Sequence, residues 1–294
     1  MVRLSVILPA FNLSRRIAAN LERVESVLKR MGLTYEIVPV DDGSSDNTKV
    51  LVNEWIQENK VPIRYIYQEN AGKPSAHNRG AQEAEGELFI CVDSDDYLTG
   101  NAVKVLRENW ENHQYDCIGM LSPRMIIMAN GVIETASISI TKTTLIDAYR
   151  KYHLTGDTAL IFKSAILKKY KFPFFQGEKF IPEGYLYDQL DQEGPLGVVS
   201  ESIYVGEYLS DGYTANMKKL LYNNPQGYFA YIEQRLKIDK GIKTRFLDSI
   251  RYMSMAIACK RKGKIKDAVY PFWAFVAYMP GWLMYRKDYR RYQK

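Results

Sequence analysis

The first hundred residues alternate short apolar runs with longer stretches whose apolar residues recur every three or four positions. Leu4–Leu8 is an apolar run closed by Pro9 and reads as a strand. Ile17, Leu21, Val24 and Leu28 follow at spacings of 4, 3 and 4, the repeat of a helix with one buried face. Asn12 or Ser14 is placed to cap that helix and Gly32 to stop it. Tyr35–Val40 predicts a second strand, and Asp46 can cap a helix carrying Leu51, Val52, Trp55 and Ile56. Ile63–Tyr67 predicts the third strand, residues 74–85 the third helix and Leu88–Val92 the fourth strand. Such a β-α-β-α-β-α-β order, with strands apolar along their whole length, predicts an α/β protein built on a mostly parallel, doubly wound, Rossmann-like sheet.

Beyond this point the pattern is looser. A helix is expected over 101–110, and a hairpin or two strands over 116–140, with Gly131 in the turn. Ala159–Phe162 and Val198–Tyr204 read as later strands. From residue 216 the pattern turns helical. Within it, residues 269–285 form an apolar, aromatic run broken by Pro271 and Pro280. That length, so interrupted, suits a segment lying in a membrane interface better than one spanning the bilayer. The expected division is an α/β domain over 1–215, with halves 1–110 and 111–215, and a helical extension over 216–294.

Charge sharpens this division. Residues 1–215 hold 22 Lys+Arg and 29 Asp+Glu, a net of −7, whereas residues 216–294 hold 18 and 5, a net of +13. A basic extension points to an anionic partner: a phospholipid surface, a lipid-phosphate acceptor or nucleic acid. Cys91, Cys117 and Cys259 form no paired motif, which argues against a disulfide framework or zinc site and fits a reducing compartment. The start, Met1-Val2-Arg3-Leu4, lacks the pattern of a secretory leader, so a cytoplasmic location is expected.

The candidate chemistry lies where the first strands end. Asp93-Ser94-Asp95-Asp96 follows the fourth strand. In extended backbone Asp93 and Asp95 share a face, and adjacent carboxylates repel unless a cation sits among them. Carboxylates and diphosphate oxygens are the hard ligands of Mg²⁺ and Mn²⁺. Read without the other motifs, the same tetrapeptide serves equally as a solvated acidic turn. Asp41-Asp42-Gly43-Ser44 follows the second strand, where a carboxylate can accept from a base imide or ribose hydroxyl, or can simply cap a helix. Lys73 and Arg79, in Asn70-Ala71-Gly72-Lys73 and Ala76-His77-Asn78-Arg79-Gly80, lie near a helix start that also favours anions. Either cation could neutralise a diphosphate or lie on a solvated helix face. All these motifs follow strand ends, where ligands bind in parallel sheets.

Together with Ser5–Asn12, these motifs closely resemble the nucleotide-sugar half of family 2 inverting glycosyltransferases over residues 3–110. The resemblance implies the GT-A fold and the transfer of a sugar from a nucleotide-sugar, UDP by default, to an acceptor hydroxyl. It implies that Pro9, Ala10, Phe11 and Asn12 line the nucleotide site, that Asp42, assisted by Asp41, bonds the base, and that Asp93 and Ser94 approach the ribose or diphosphate. Asp95, with Asp96, would hold a divalent metal, Mn²⁺ or Mg²⁺.

An inverting transfer needs a base on the acceptor side. Phe180-Ile181-Pro182-Glu183-Gly184 resembles the family's acidic motif, with Gly184 in place of the commoner second acid. Glu183 is therefore the favoured base, and Asp188 and Asp191 stay open. The Gln-x-x-Arg-Trp motif of processive members is missing, which implies one sugar per encounter. Asp211-Gly212-Tyr213-Thr214 with Asn216 resembles the segment closing this domain in bacterial polysaccharide enzymes. The resemblance sets the reaction in polysaccharide, capsule or cell-wall glycan synthesis, with a glycan or lipid-linked glycan acceptor and no nucleic acid. The basic flanks of 269–285 then suggest a peripheral enzyme on the inner face of the cell membrane; the alternative is that this run packs against the first domain or forms an oligomer interface. A nicotinamide-dependent oxidoreductase would need glycines where Pro9–Ser14 has none. A non-catalytic module binding membrane or nucleic acid through its basic end is the alternative, and it leaves the acidic motifs unexplained.

Overall fold

The computed structural model describes residues 3–29, 34–59, 62–127, 133–135, 139–207, 213–239 and 241–293. The expected helix stop at Gly32, the turn at Gly131 and the Asp211-Gly212 motif lie outside them. The chain divides into two compact units, one of residues 1–171 and 189–209, the other of 172–188 and 210–294. The helical part thus begins near where basic charge begins, but it also takes in residues 172–188, which hold Glu183 and Asp188.

In the first unit the predicted alternation is present: β1 (Arg3–Ala10), α1 (Ile17–Lys29), β2 (Thr34–Asp42), α2 (Thr48–Asn59), β3 (Ile66–Gln68), α3 (Lys73–Glu83) and β4 (Leu88–Cys91). Then come β5 (Tyr97–Leu98), α4 (Ala102–His113), β6 (Gly119–Ile127), β7 (Ile133–Thr135), β8 (Lys142–Thr143), α5 (Leu145–Arg150), β9 (Thr158–Lys163), α6 (Ser164–Leu167), β10 (Leu196–Val198) and β11 (Tyr204–Glu207). The strands form one sheet in the order β3-β2-β1-β4-β9-β6-β10-β8, with β7 and β11 also on β6 and β5 on β11. The β3-β2-β1-β4 part is parallel, and β9 runs antiparallel between β4 and β6. This is the GT-A-like α/β architecture that the motifs implied.

Local departures have physical causes. β1 continues through Pro9 to Ala10. Its pairing with β4 ends at Ile7–Cys91, so beyond it a missing N–H is tolerated on that flank. The helix after β1 starts at Ile17 rather than beside Asn12, because Asn12 is engaged elsewhere (below) and has φ +53°. Its four predicted core residues, Ile17, Leu21, Val24 and Leu28, are all buried. α3 lies directly on β1: a Cβ at Gly80 would meet Ile7 Cγ2 far inside van der Waals contact. The single run expected over 198–204 is two strands, β10 and β11, which pair in turn with the first and the later part of β6.

The second unit contains α8 (Tyr213–Asn223), α9 (Pro225–Ile238), α10 (Ile242–Ala258), α11 (Pro271–Val276) and α12 (Tyr278–Asp288); α7 (Gly184–Leu190) begins in it. Its core gathers Phe180, Tyr228, Phe229, Ile232, Tyr252 and Met255. Glu178 caps α9, accepting from the Gln226 and Gly227 N–H groups at 2.9 and 2.8 Å. Asn224 Oδ1 accepts from the Lys179 and Phe180 N–H groups at 2.8 and 3.2 Å. These bonds account for residues 172–188 joining the helices. Among the described residues no helix is long and apolar enough to cross a membrane.

Candidate active site

The order β3-β2-β1-β4 places the loops after β1, β2 and β4 at one edge of the sheet, where helices leave in opposite directions from neighbouring strands. The loops are tied to one another. The Asn12 N–H donates to Ser44 Oγ at 2.8 Å, and the Ser45 N–H donates back to Asn12 Oδ1 at 2.9 Å. Asp46 Oδ2 accepts from the Ser14 N–H at 3.0 Å while Oδ1 accepts from the Thr48 N–H at 3.0 Å. Burial alone would raise the Asp46 pKa, but these bonds and that from the Thr48 hydroxyl outweigh it and hold the carboxyl far below its ordinary value. Pro9 is half-buried and Ala10 buried, whereas the Phe11 ring is 50% exposed at the rim.

Asp41 and Asp42 are both buried. Asp41 accepts from the Ser44 N–H at 2.7 Å and from the Tyr65 hydroxyl at 2.5 Å. Asp42 Oδ1 accepts from Gln68 Nε2 at 2.7 Å and the Ala71 N–H at 3.0 Å, and Oδ2 accepts from the Gly72 N–H at 2.7 Å. Asp42 thus braces the loop that delivers Lys73. Gly43 must be glycine here: its φ is +76°, and a Cβ would lie 2.6 Å from the Asn70 backbone nitrogen.

Lys73 Nζ meets Asp93 Oδ1 at 2.7 Å. Burial works to raise the Asp93 pKa, but Lys73, Arg124 and His77 outweigh it and the net shift is down. His77 is buried, its ring 5.1 Å from that of Phe89. Arg79 pairs with Glu83 at 3.0 Å, toward the C-terminal end of α3, and Glu83 in turn holds Arg64. That geometry is a charged helix face. The Ser94 carbonyl accepts from Asn20 Nδ2.

The Asp93-Ser94-Asp95-Asp96 turn is clamped from β6 and β11 by two residues that no motif marked. Arg124 forms an ion pair with Asp96 and lies over the Tyr204 ring, 4.6 Å from its centroid. The Tyr204 hydroxyl donates to Asp96 Oδ2 at 2.9 Å and accepts from the Asp93 N–H at 2.9 Å. Burial, reinforced by Asp93 and Asp95, pushes Asp96 up to about 7 against the pull of Arg124 and Tyr204. One sequence signal for the clamp existed: Gly206, inside a strand, has no side chain to block the Arg124 guanidinium, which a Cβ would meet at 2.6 Å.

Two of the three carboxylates therefore carry their own cation or hydroxyl partners. Asp95 is half-buried and has no hydrogen-bond or ion-pair partner among the described residues. One unspent carboxylate, two residues from the Asp93 that meets Lys73, fits a Mg²⁺- or Mn²⁺-type ion, which takes one or two protein carboxylates and completes its shell from substrate phosphates and water. A closed all-protein metal cage is not what these residues offer.

Residues 5–169, more than half of the chain, match the family model "Glycosyl transferase family 2". The chain belongs to this family. Among curated family relatives, it is 34% identical over 117 residues to glycosyltransferase GlyG of Streptococcus pneumoniae, covering 39% of this chain and 37% of that protein. It is 37% identical over 95 residues to the undecaprenyl-phosphate 4-deoxy-4-formamido-L-arabinose transferase of Proteus mirabilis, covering 32% of this chain and 29% of that one. The matched region thus spans about a third of the length of these relatives. In fold, the family 2 chain resembles Staphylococcus aureus TarS 1–349 in complex with UDP-GlcNAc, with TM-score 0.60 and 17% identity, over 99% of this chain and 92% of that one.

In the second unit, Glu183 is exposed just before α7, and its carbonyl accepts from the Leu186 N–H at 3.0 Å. Asp188 is buried and faces Arg235 at 3.6 Å, an arginine also bonded to Asp248 at 3.0 Å. In the first unit, Asp191 caps α5, accepting from the Leu145 and Ile146 N–H groups at 2.9 and 2.7 Å.

Proposed function

We propose that this family 2 protein is an inverting, non-processive glycosyltransferase. It takes a sugar from a UDP-sugar and places it on a hydroxyl of a glycan or lipid-linked glycan. The setting is polysaccharide, capsule or cell-wall synthesis at the inner face of the cell membrane. The observation that carries this reading is the array at the strand ends: Lys73 on Asp93, Arg124 and Tyr204 on Asp96, and Asp95 left over. The UDP-GlcNAc complex of the TarS neighbour supports the choice of donor class, and the undecaprenyl-phosphate in the name of the Proteus relative supports a lipid-linked setting.

In this reading Pro9–Asn12 and the exposed Phe11 ring receive the base. Asp42 acts by bracing the 70–72 loop, with Asp41 beneath it. Lys73 exchanges Asp93 for a diphosphate oxygen as donor binds, which is a charge-assisted contact in place of another. Arg79 adds at most long-range positive potential. Asp95 would hold Mn²⁺ or Mg²⁺ together with the diphosphate; when bound, the ion neutralises charge developing on the leaving group. Asp96 acts as the anchor of the turn, fixing Asp95 through the backbone. Glu183 takes the proton of the acceptor hydroxyl, whose oxygen forms the new bond to the anomeric carbon as the bond to the diphosphate breaks and UDP leaves with the electron pair. Asp188, already neutralised by Arg235, is the weaker base.

The test is a thermal-shift titration with UDP, with and without Mn²⁺. A shift that requires the metal is expected. A protein whose unfolding midpoint ignores UDP in both conditions would contradict the donor reading.

A further inference from the structure

α11 and α12 carry an apolar face that the protein does not cover. Phe272 and Phe275 are each 68% exposed, Met279 62% and Leu283 58%, with Val276 among them at 40%. At about 100° per residue, these five fall on an arc of roughly 100°, less than a third of the helix circumference. The opposite side is buried: Ala274, Ala277 and Gly281 are covered, and a Cβ at Gly281 would lie 2.8 Å from Met253 Cβ on α10. The two faces are thus cleanly separated, and the exposed one is not a fraying end of the core.

The same arc continues into exposed cations. Arg286, Lys287 and Arg290 follow Leu283 with helical spacing, and Arg286 lies over the Trp282 ring, 4.8 Å from its centroid. The sole carboxylate between Ala268 and Gln293 is Asp288, which is paired with Lys218 at 2.5 Å. The face therefore offers large apolar side chains beside positive charge, without a carboxylate to answer cations on a partner. A second copy of the same face would set like charge near like charge. A bilayer with anionic headgroups complements both features at once: the headgroups meet the cations and the acyl boundary takes the apolar side chains.

We infer that this face of α11–α12 docks the protein onto an anionic lipid surface. The inference rests on the membrane setting proposed above and on no part of the donor chemistry. It names the residues that enter the interface: Phe272, Phe275, Met279 and Leu283, with Arg286, Lys287 and Arg290 at the headgroups.

Flotation of the full chain with phosphatidylglycerol-containing vesicles and with phosphatidylcholine vesicles tests it. The full chain floats with the first and much less with the second. The triple variant Phe272→Ser/Phe275→Ser/Met279→Ser loses at least about tenfold in apparent vesicle affinity. Arg286→Glu/Lys287→Glu, which leaves the apolar face intact, loses a comparable factor on anionic vesicles only. All these side chains are exposed, so the unfolding midpoint stays where it was. Failure of the wild type to float, or equal flotation of the triple variant, overturns the inference. So does a triple variant whose sole change is loss of a concentration-dependent oligomer, which makes the face a self-interface. The UDP-induced thermal shift, read on the same samples, reports separately on the donor site.

Discussion

Replacing Asp42 with Asn separates a residue that holds the site together from one that touches the ligand. The carboxylate is buried and accepts three bonds, two at Oδ1 and one at Oδ2. An asparagine keeps one acceptor oxygen. If that oxygen stays with Gln68 and Ala71, the new NH₂ group points at the Gly72 N–H, donor against donor. The unsatisfied buried N–H costs about 1–3 kcal/mol, and the two remaining bonds lose their charge assistance. The sum is about 2–4 kcal/mol, or roughly 5–15 °C in unfolding midpoint for a domain of 150–250 residues. Differential scanning fluorimetry without ligand measures this directly, and isothermal titration with UDP measures the consequence for the donor site. Both stability and UDP affinity are expected to fall, because the loop carrying Lys73 is no longer fixed. An unchanged midpoint with a large loss of UDP affinity would instead mean that Asp42 acts on the nucleotide itself.

Tyr204→Phe removes both bonds of its hydroxyl, each worth about 1 kcal/mol, so kcat/KM for transfer is expected to fall about thirtyfold. The apparent Mn²⁺ requirement should rise with it, whereas a purely structural tyrosine would leave that requirement alone. Gly80→Ala tests helix packing by sign: in a free helix the change stabilises by about 1 kcal/mol, but the new methyl meets Ile7 at a cost of about 1–3 kcal/mol, so chemical denaturation should show a net loss of up to about 2 kcal/mol. The carboxyls of Asp46 and Glu36 are both held below their ordinary values; for Glu36, burial works upward while bonds from Ser5, Glu85 and Arg64 bring it down. Depressed carboxylates give stability that is complete above their unfolded pKa and is lost as pH falls through the folded one. The unfolding midpoint should therefore decline as pH drops below about 4, and the gap between wild type and Asp46→Asn should narrow there. A gap constant from pH 6 to 3 would refute that account.

The first 110 residues were legible because local pattern and chemistry agree there. β1, β2 and β4 are largely buried apolar runs that need no distant information, Asp41 and Asp42 end β2, Asp93 lies just past β4 and Lys73 opens α3. What could not be read were partners set by the sheet's closure. Arg124 is 28 residues from Asp96 and Tyr204 is 108 away, and they meet Asp96 because β11 pairs with β6. β9 is an apolar run like the others, and nothing local says that it inserts antiparallel between β4 and β6. Residues 172–188 are expected within the 1–215 domain, yet Glu178 and Asn224 tie them to α9 across more than 40 residues. Of the run at 269–285, the sequence displayed the apolar content, while the two prolines start α11 and sit inside α12 without ending the helical path.

If the strand-end array activates a sugar nucleotide through Asp95 and a divalent ion, release of UDP must need both. A donor screen following that release, with Mn²⁺ present or chelated, should show metal-dependent turnover of at least one UDP-sugar, abolished in Asp95→Ala, with Glu183→Gln still binding donor but no longer transferring sugar. Turnover that survives in Asp95→Ala, or release of UDP that proceeds equally under chelation, would contradict it.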